Sequence, residues 1–225
     1  MSSPSPPAGS DDAARGRSSV VAAAILAGGQ GRRLGGANKS LLVVDGQRII
    51  DRQLAVLRPL FERVAVVVAP GHPFGHDLPD VAVIQDRRGP QLGPLAGLDA
   101  ALAWLPEQCE SLVCVAADMP FLSPAVLVYL REAIPHTAQA VVPRLQDGGQ
   151  PRAQPLCARY HRSIAAAVAH QLDSGKRAMH ALLADVTSGS GPGAVVWIDD
   201  GPLRLLDPTL ASFRNINSPD DLHRR

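Results

Sequence analysis

The residues best suited to chemistry in this chain are cations and carboxylates at the ends of apolar runs. The stretch "AAAILAGGQGRRLGGANKS" (22–40) passes from apolar residues into Gly28, Gly29, Gly31, Gly35 and Gly36, with Arg32, Arg33 and Lys39 among them. Glycine backbone can approach a ligand closely, and its N–H groups are free to point at an anion. Lys39 and Arg33 are therefore candidates to neutralise a triphosphate, against the common alternative of solvated surface charge. Asp118, in "AADMPF", stands between an apolar run and a Met-Pro turn. A carboxylate there suits Mg2+, which takes one or two carboxylates with phosphate oxygens and water. The alternative is a turn aspartate bonded to its own backbone.

Two familiar phosphate loops fail on spacing. Gly29 and Gly31 fit the first places of Gly-x-Gly-x-x-Gly, but the third falls on Leu34. Gly31 and Gly36 fit the mononucleotide loop, but Lys39 comes two residues late. Asp86 closes "VAVIQD" and could bond a ribose hydroxyl or a base amine, or cap the next turn. Gly93, in "LGPLAGL" (92–98), offers a glycine-lined approach at a helix start, while Gly93 and Gly97 could equally serve close helix packing. His72 and His76 have the spacing of a metal pair on a helix, which Pro73 and Gly75 forbid. No Gly-x-Ser-x-Gly elbow occurs, so a Ser-His-Asp hydrolase has no support.

The elements that must position these residues alternate. Apolar, β-branched runs at 20–26, 64–69, 81–86 and 111–118 read as strands. Periodic stretches at 48–60, 94–105 and 123–134 read as helices, with Pro94 suited to a first helical position and Ser123 a cap before Pro124. Beyond residue 138, "AQAVVPRL" and "AQPLCARYH" suggest strands paired around "QDGGQP". "RSIAAAVAHQL" and "RAMHALLADV" suggest helices, 188–193 a loop, "AVVWID" a strand, and "SPDDLHRR" a capped helix. Continuous apolar strands between helices predict a three-layer α/β/α fold with a mainly parallel, Rossmann-like sheet. In such sheets ligands bind beyond the carboxyl ends of strands. The glycine loop, Asp86 and Asp118 each end a strand, so they should converge.

Composition narrows the class. The chain has 225 residues, 46% apolar, and a formal charge of +1. That is enough for one substantial core, makes no case for nucleic acid or a membrane surface, and includes no run near the roughly 20 residues of a span. Cys109, Cys114 and Cys157 lack metal spacing and suit buried free thiols in a reducing cytoplasm. Arg15 and Arg17 imitate a secretory signal, but Asp11 and Asp12 occupy its basic region and a glycine-arginine loop replaces the cleavage site. Residues 1–18 read as a disordered tail, and 19–225 as one domain whose second half elaborates the substrate side.

These motifs, in order, resemble the molybdenum cofactor guanylyltransferase family of the nucleotidyltransferase fold. "LAGGQGRRLGGANKS" resembles its opening signature, "GPLAGL" its second glycine segment and "ADMPF" its metal aspartate turn. "GGQPRAQPLCARY" and "SGKRAMHALL" are similar to acceptor-side stretches, and "FRNINSPDDL" to the Asn-x-Asn-Ser/Thr-Pro ending. The resemblance implies Mg2+-dependent transfer of GMP from GTP to the terminal phosphate of molybdopterin. It implies that Leu26, Ala27, Gly28 and Gly29 line guanine and phosphates, that Lys39 contacts the phosphates, that Asp86 helps bind the nucleotide, and that Asp118 holds the metal. Proteins that deliver or receive the cofactor are implied as partners. A CTP-dependent cytidylyltransferase of the same fold and a non-catalytic nucleotide-binding protein are the alternatives; the Gly28-Gly29 pair leans towards guanine.

Overall fold

The computed structural model describes residues 20–28, 39–70, 78, 80–86, 88, 92–133, 135–216 and 221. The expected N-terminal tail, His72, His76 and most of the expected final helix lie outside them. Four parallel strands make up the N-terminal part of the sheet: β1 (Val20–Leu26), β4 (Val64–Val68), β5 (Ala82–Gln85) and β6 (Cys109–Ala116), in the order β5-β4-β1-β6. β1 is apolar on both faces because both are covered, so the period-two alternation of a half-exposed strand is missing. Between β1 and β4, a two-strand hairpin, β2 (Val43–Val44) and β3 (Gln47–Arg48), turns at Asp45 and Gly46, both at positive φ. Asp-Gly is the pair that such a turn favours.

The C-terminal half extends the same sheet with mixed direction. β7 (Ala140–Asp147), β8 (Gln150–Ala153), β9 (Cys157–His161) and β10 (Val195–Asp199) complete an eight-stranded sheet in the order β10-β7-β9-β6-β1-β4-β5, with β8 paired to β7. β9 runs antiparallel to both β6 and β7, while β7 and β10 are parallel. The sequence expectation of two strands around "QDGGQP" needs correction. β7 pairs with β9 only through Ala140 and Val141, and its hairpin partner is β8, which turns at Gly148 and Gly149.

Helices cover both faces. On one lie α1 (Ile49–Leu57), α3 (Pro124–Glu132) and α6 (Asp200–Leu206), packing Ile50, Leu54, Leu57, Val126, Leu130 and Leu203 on the sheet. On the other lie α2 (Pro94–Trp104), α4 (Ala165–Asp173) and α5 (Met179–Gly189), contributing Leu95, Leu98, Val168, Leu172, Leu182 and Val186. The three-layer α/β/α expectation holds. α5 runs through Ser188 and Gly189, which were expected to open a loop, and α6 had no sequence expectation. All three cysteines are buried and free. Cys114 and Cys157 lie in the cores on opposite faces, so they do not meet.

At the pole away from the carboxyl ends, Arg159 is 1% exposed and donates to Arg131 O at 3.2 Å and Pro135 O at 3.0 Å. These carbonyls lie in or just beyond the last turn of α3, where a cation complements the helix dipole. Burial lowers the Arg159 pKa.

Candidate active site

The carboxyl ends of β5, β4, β1 and β6 form one edge, and the expected residues are spaced along it. Leu26 is the last residue of β1, with its side chain in the core and its carbonyl accepting Ala117 N at 3.1 Å. Ala27 N donates to Val67 O at 2.7 Å, so the chain leaves the sheet only after this residue. Gly28 is exposed, and a Cβ placed on it would lie 3.6 Å from Ala69 N, in ordinary contact. Lys39 opens a short 3-10 turn, Lys39–Leu41, that returns the chain towards the hairpin. Gly29, Arg33 and the Lys39 side chain lie outside the described residues.

Asp118 follows β6 by two residues instead of closing it, and its turn is fixed from several directions. Ala116 N donates to Leu156 O at 2.8 Å, Met119 N to Ala116 O at 3.3 Å, and Ile216 N to Asp118 O at 2.9 Å. From α1, the buried Gln53 donates to Ala116 O at 2.7 Å and Met119 O at 3.0 Å. Asp118 is itself engaged in the protein, and Oδ1, one of its two carboxylate oxygens, is a buried acceptor with no hydrogen bond to it. Two guanidinium groups lie over the Phe121 ring, Arg52 at 5.7 Å and Arg214 at 5.4 Å from its centre. Arg52 also donates to Pro120 O at 3.2 Å.

Asp86 sits just past β5. Its N–H donates to Val68 O at 2.9 Å, and its Oδ1 accepts Arg88 N at 2.9 Å, so the capping role exists in this structure. Arg88 reaches Asp99 of α2 at 2.7 Å and Asp173 of α4 at 2.5 Å, and these bonds raise its pKa. Gly93 is the residue before α2, at φ +72°. A Cβ there would stand 3.9 Å from Arg177 O, so the "SGKRAMHALL" stretch meets the start of α2. Gly97 packs differently: its Cβ would fall 3.3 Å from Leu26 Cδ2, which supports the close-packing reading for that glycine.

Asp118 and the start of the glycine loop are thus on adjacent strands. Asp86 is three strands from β6, roughly 14 Å away at the usual strand spacing. The two carboxylates cannot share an ion, but one extended ligand could touch both. Among the described residues no group of three or more His, Cys, Asp or Glu could enclose a metal. A single carboxylate just beyond a strand end fits Mg2+ that is carried largely by phosphate oxygens and water. Sequence reasoning missed Gln53, the contacts of Arg52 and Arg214 with Phe121, and the Ile216 tie. All three depend on contacts between distant segments.

A sheet of this strand order, with its polar groups gathered beyond one carboxyl edge, places the protein among α/β nucleotidyltransferases. The profile of the MobA-like NTP transferase domain matches residues 23–188, and the chain belongs to that family. A molybdenum cofactor guanylyltransferase from Rhodobacter capsulatus is 36% identical over 211 residues, 91% of this chain and 94% of that one. A probable molybdenum cofactor guanylyltransferase from Chloroflexus aggregans is 32% identical, over 90% of this chain and 92% of its own. The crystal structure of molybdopterin-guanine dinucleotide biosynthesis protein A from Archaeoglobus fulgidus is 30% identical with a TM-score of 0.72. It aligns over 90% of this chain and 95% of its own.

Proposed function

We propose that this protein transfers GMP from GTP to the terminal phosphate of molybdopterin, releasing pyrophosphate. The observation that carries the reading is the Ala117 N to Leu26 O bond, which sets the Asp118 turn against the start of the glycine loop. Relatives named as guanylyltransferases align over most of the chain and support the choice of acceptor and nucleotide. Residues 19–225 act as one domain, with GTP along the β5-β4-β1 edge and the acceptor towards β9 and α5. No described helix is long and apolar enough to cross a membrane. A cytoplasmic location and cofactor-delivery proteins as partners belong to the same proposal.

The acceptor phosphate has its second pKa near about 6, so at neutral pH it is largely a dianion and attacks without a general base. Its oxygen forms a bond to the α-phosphorus of GTP, and the bond from that phosphorus to the bridging oxygen breaks, leaving pyrophosphate. The protein must hold two anions in line, and positioning supplies roughly 7–11 kcal/mol in well-oriented systems. Lys39, Arg33 and loop N–H groups are the proposed electrostatic partners of the triphosphate. Magnesium, when bound, would neutralise charge on the phosphates, and Asp118 is the side chain that would hold it. Asp86, towards the nucleoside end, bonds ribose or base.

Thermal shifts with GTP, CTP and ATP, each with and without Mg2+, test the nucleotide. A ligand at a hundred times its dissociation constant adds ~2.7 kcal/mol, and at about 2–4 °C per kcal/mol the midpoint moves several degrees. A magnesium-dependent shift confined to GTP, followed by GMP transfer to molybdopterin, is the expected result. A shift confined to CTP would replace this reading with the cytidylyl one, and GTP binding without transfer would mark a non-catalytic protein.

A further inference from the structure

Gln53 is an odd residue for its place. On α1 it falls between Ile50 and Leu57 on the face that packs against the sheet, and it is 1% exposed. Leucine or methionine would fill that place with no polar group to desolvate. The carboxamide instead leaves Oε1 buried without a hydrogen bond, which is a costly arrangement. Its amino group makes two bonds, to Ala116 O at 2.7 Å and Met119 O at 3.0 Å. These carbonyls lie on either side of Asp118. The turn's own closing bond, Met119 N to Ala116 O, is long at 3.3 Å, so Gln53 supplies what the turn lacks.

We propose that Gln53 is a positioning residue that fixes the Asp118 carboxylate for the metal-nucleotide complex. It never touches the ligand. With Ala117 N on Leu26 O and Ile216 N on Asp118 O, it leaves the Asp118 turn little freedom to move. Groups that orient a metal ligand from behind typically change metal affinity or activity by about 10–100-fold when removed. This inference rests on the reading of Asp118 as the metal-side carboxylate.

The test uses the full-length protein with Gln53→Met, Gln53→Asn and, as a packing control on the same helix, Ile50→Val. Mn2+ binding to the GTP complex is measured by water-proton relaxation, and metal-free GTP binding by calorimetry. Gln53→Met should weaken Mn2+ about tenfold and lower kcat about tenfold. Metal-free GTP affinity and the KM for GTP should stay within about twofold of wild type. Ile50→Val should lower the thermal midpoint and leave Mn2+ affinity unchanged. Should Gln53→Met not fold, Gln53→Asn, one methylene too short to reach both carbonyls, carries the same expectation. A folded variant of either kind with wild-type Mn2+ affinity and kcat would make Gln53 a packing residue and overturn the inference. Wild-type protein that binds Mn2+ and GTP but transfers nothing to molybdopterin would instead remove the functional reading, and the Mn2+ comparison would still decide the role of Gln53.

Discussion

Two acids stand beyond the same sheet edge, and the protein holds them in contrasting ways. The Asp118 turn is tied to β1, α1, the residue before β9 and the segment at Ile216, mostly by backbone bonds and one buried carboxamide. The Asp86 turn is tied by one backbone bond to Val68 O, by a cap to Arg88 N and, through Arg88, by ion pairs to two helices at the surface. Buried bonds in a low dielectric keep a fixed geometry, while exposed ion pairs are weak and screened by salt. The contrast suits a ligand whose reacting phosphates must be held still and whose nucleoside end can be admitted by a looser turn.

The sharpest way to break the comparison is to remove each acid. Asp118→Ala, and likewise Lys39→Ala, should lose on the order of a hundredfold or more in kcat, by analogy with the loss of one oxyanion donor. Near-normal turnover by a folded variant would take that residue out of the mechanism. The mounting beneath Asp118 can be tested by pH. Burial pushes the Cys157 thiol up to about 12 and raises Cys114 as well. Both thiols stay protonated in the fold, whereas in the unfolded chain they ionise near an ordinary pKa of about 8.5–9. Stability is therefore complete below that range. Above it, each thiol removes up to about 1.4 kcal/mol per pH unit until it ionises in the folded protein. Urea midpoints that stay flat from pH 9 to 10.5 would contradict this.

Asp86→Ala should be milder, raising the KM for GTP about tenfold with little change in kcat, the scale of one hydrogen bond to a charged group. Asp86→Asn keeps an oxygen for Arg88 N, so a full loss in that variant would separate ligand binding from capping. The smallest effect is expected for Arg88→Ala, which should cost no more than about 1 kcal/mol of stability. It should raise the KM for GTP a few-fold, and high salt should produce the same rise in wild type. Salt independence of that KM would show that the Asp86 turn is held by something other than its ion pairs.

Much of this arrangement was legible in the sequence. The runs at β1, β4, β5 and β6 are short, apolar and β-branched, and their ends placed the glycine loop, Asp86 and Asp118 on one edge. β8 was harder, because "QPRA" carries no apolar alternation and pairs only where β7 overruns the sheet. α6 begins with Asp200, Gly201 and Pro202, residues that read as a turn, and it is held by the burial of Leu203. Gln53 could not be read at all. Its two acceptors are 63 and 66 residues away, and no local pattern distinguishes it from an exposed glutamine on an amphipathic helix.

The bond from Ile216 N to Asp118 O has a consequence for the order in which the molecule comes into being. A ribosome delivers Asp118 long before Ile216, so the parallel strands can pair while the acid's carbonyl still lacks its donor. The site is therefore finished by one of the last described segments to be made. A chain stopped short of Ile216 would still contain every strand of the sheet, while the Asp118 carbonyl would wait for a donor that never came.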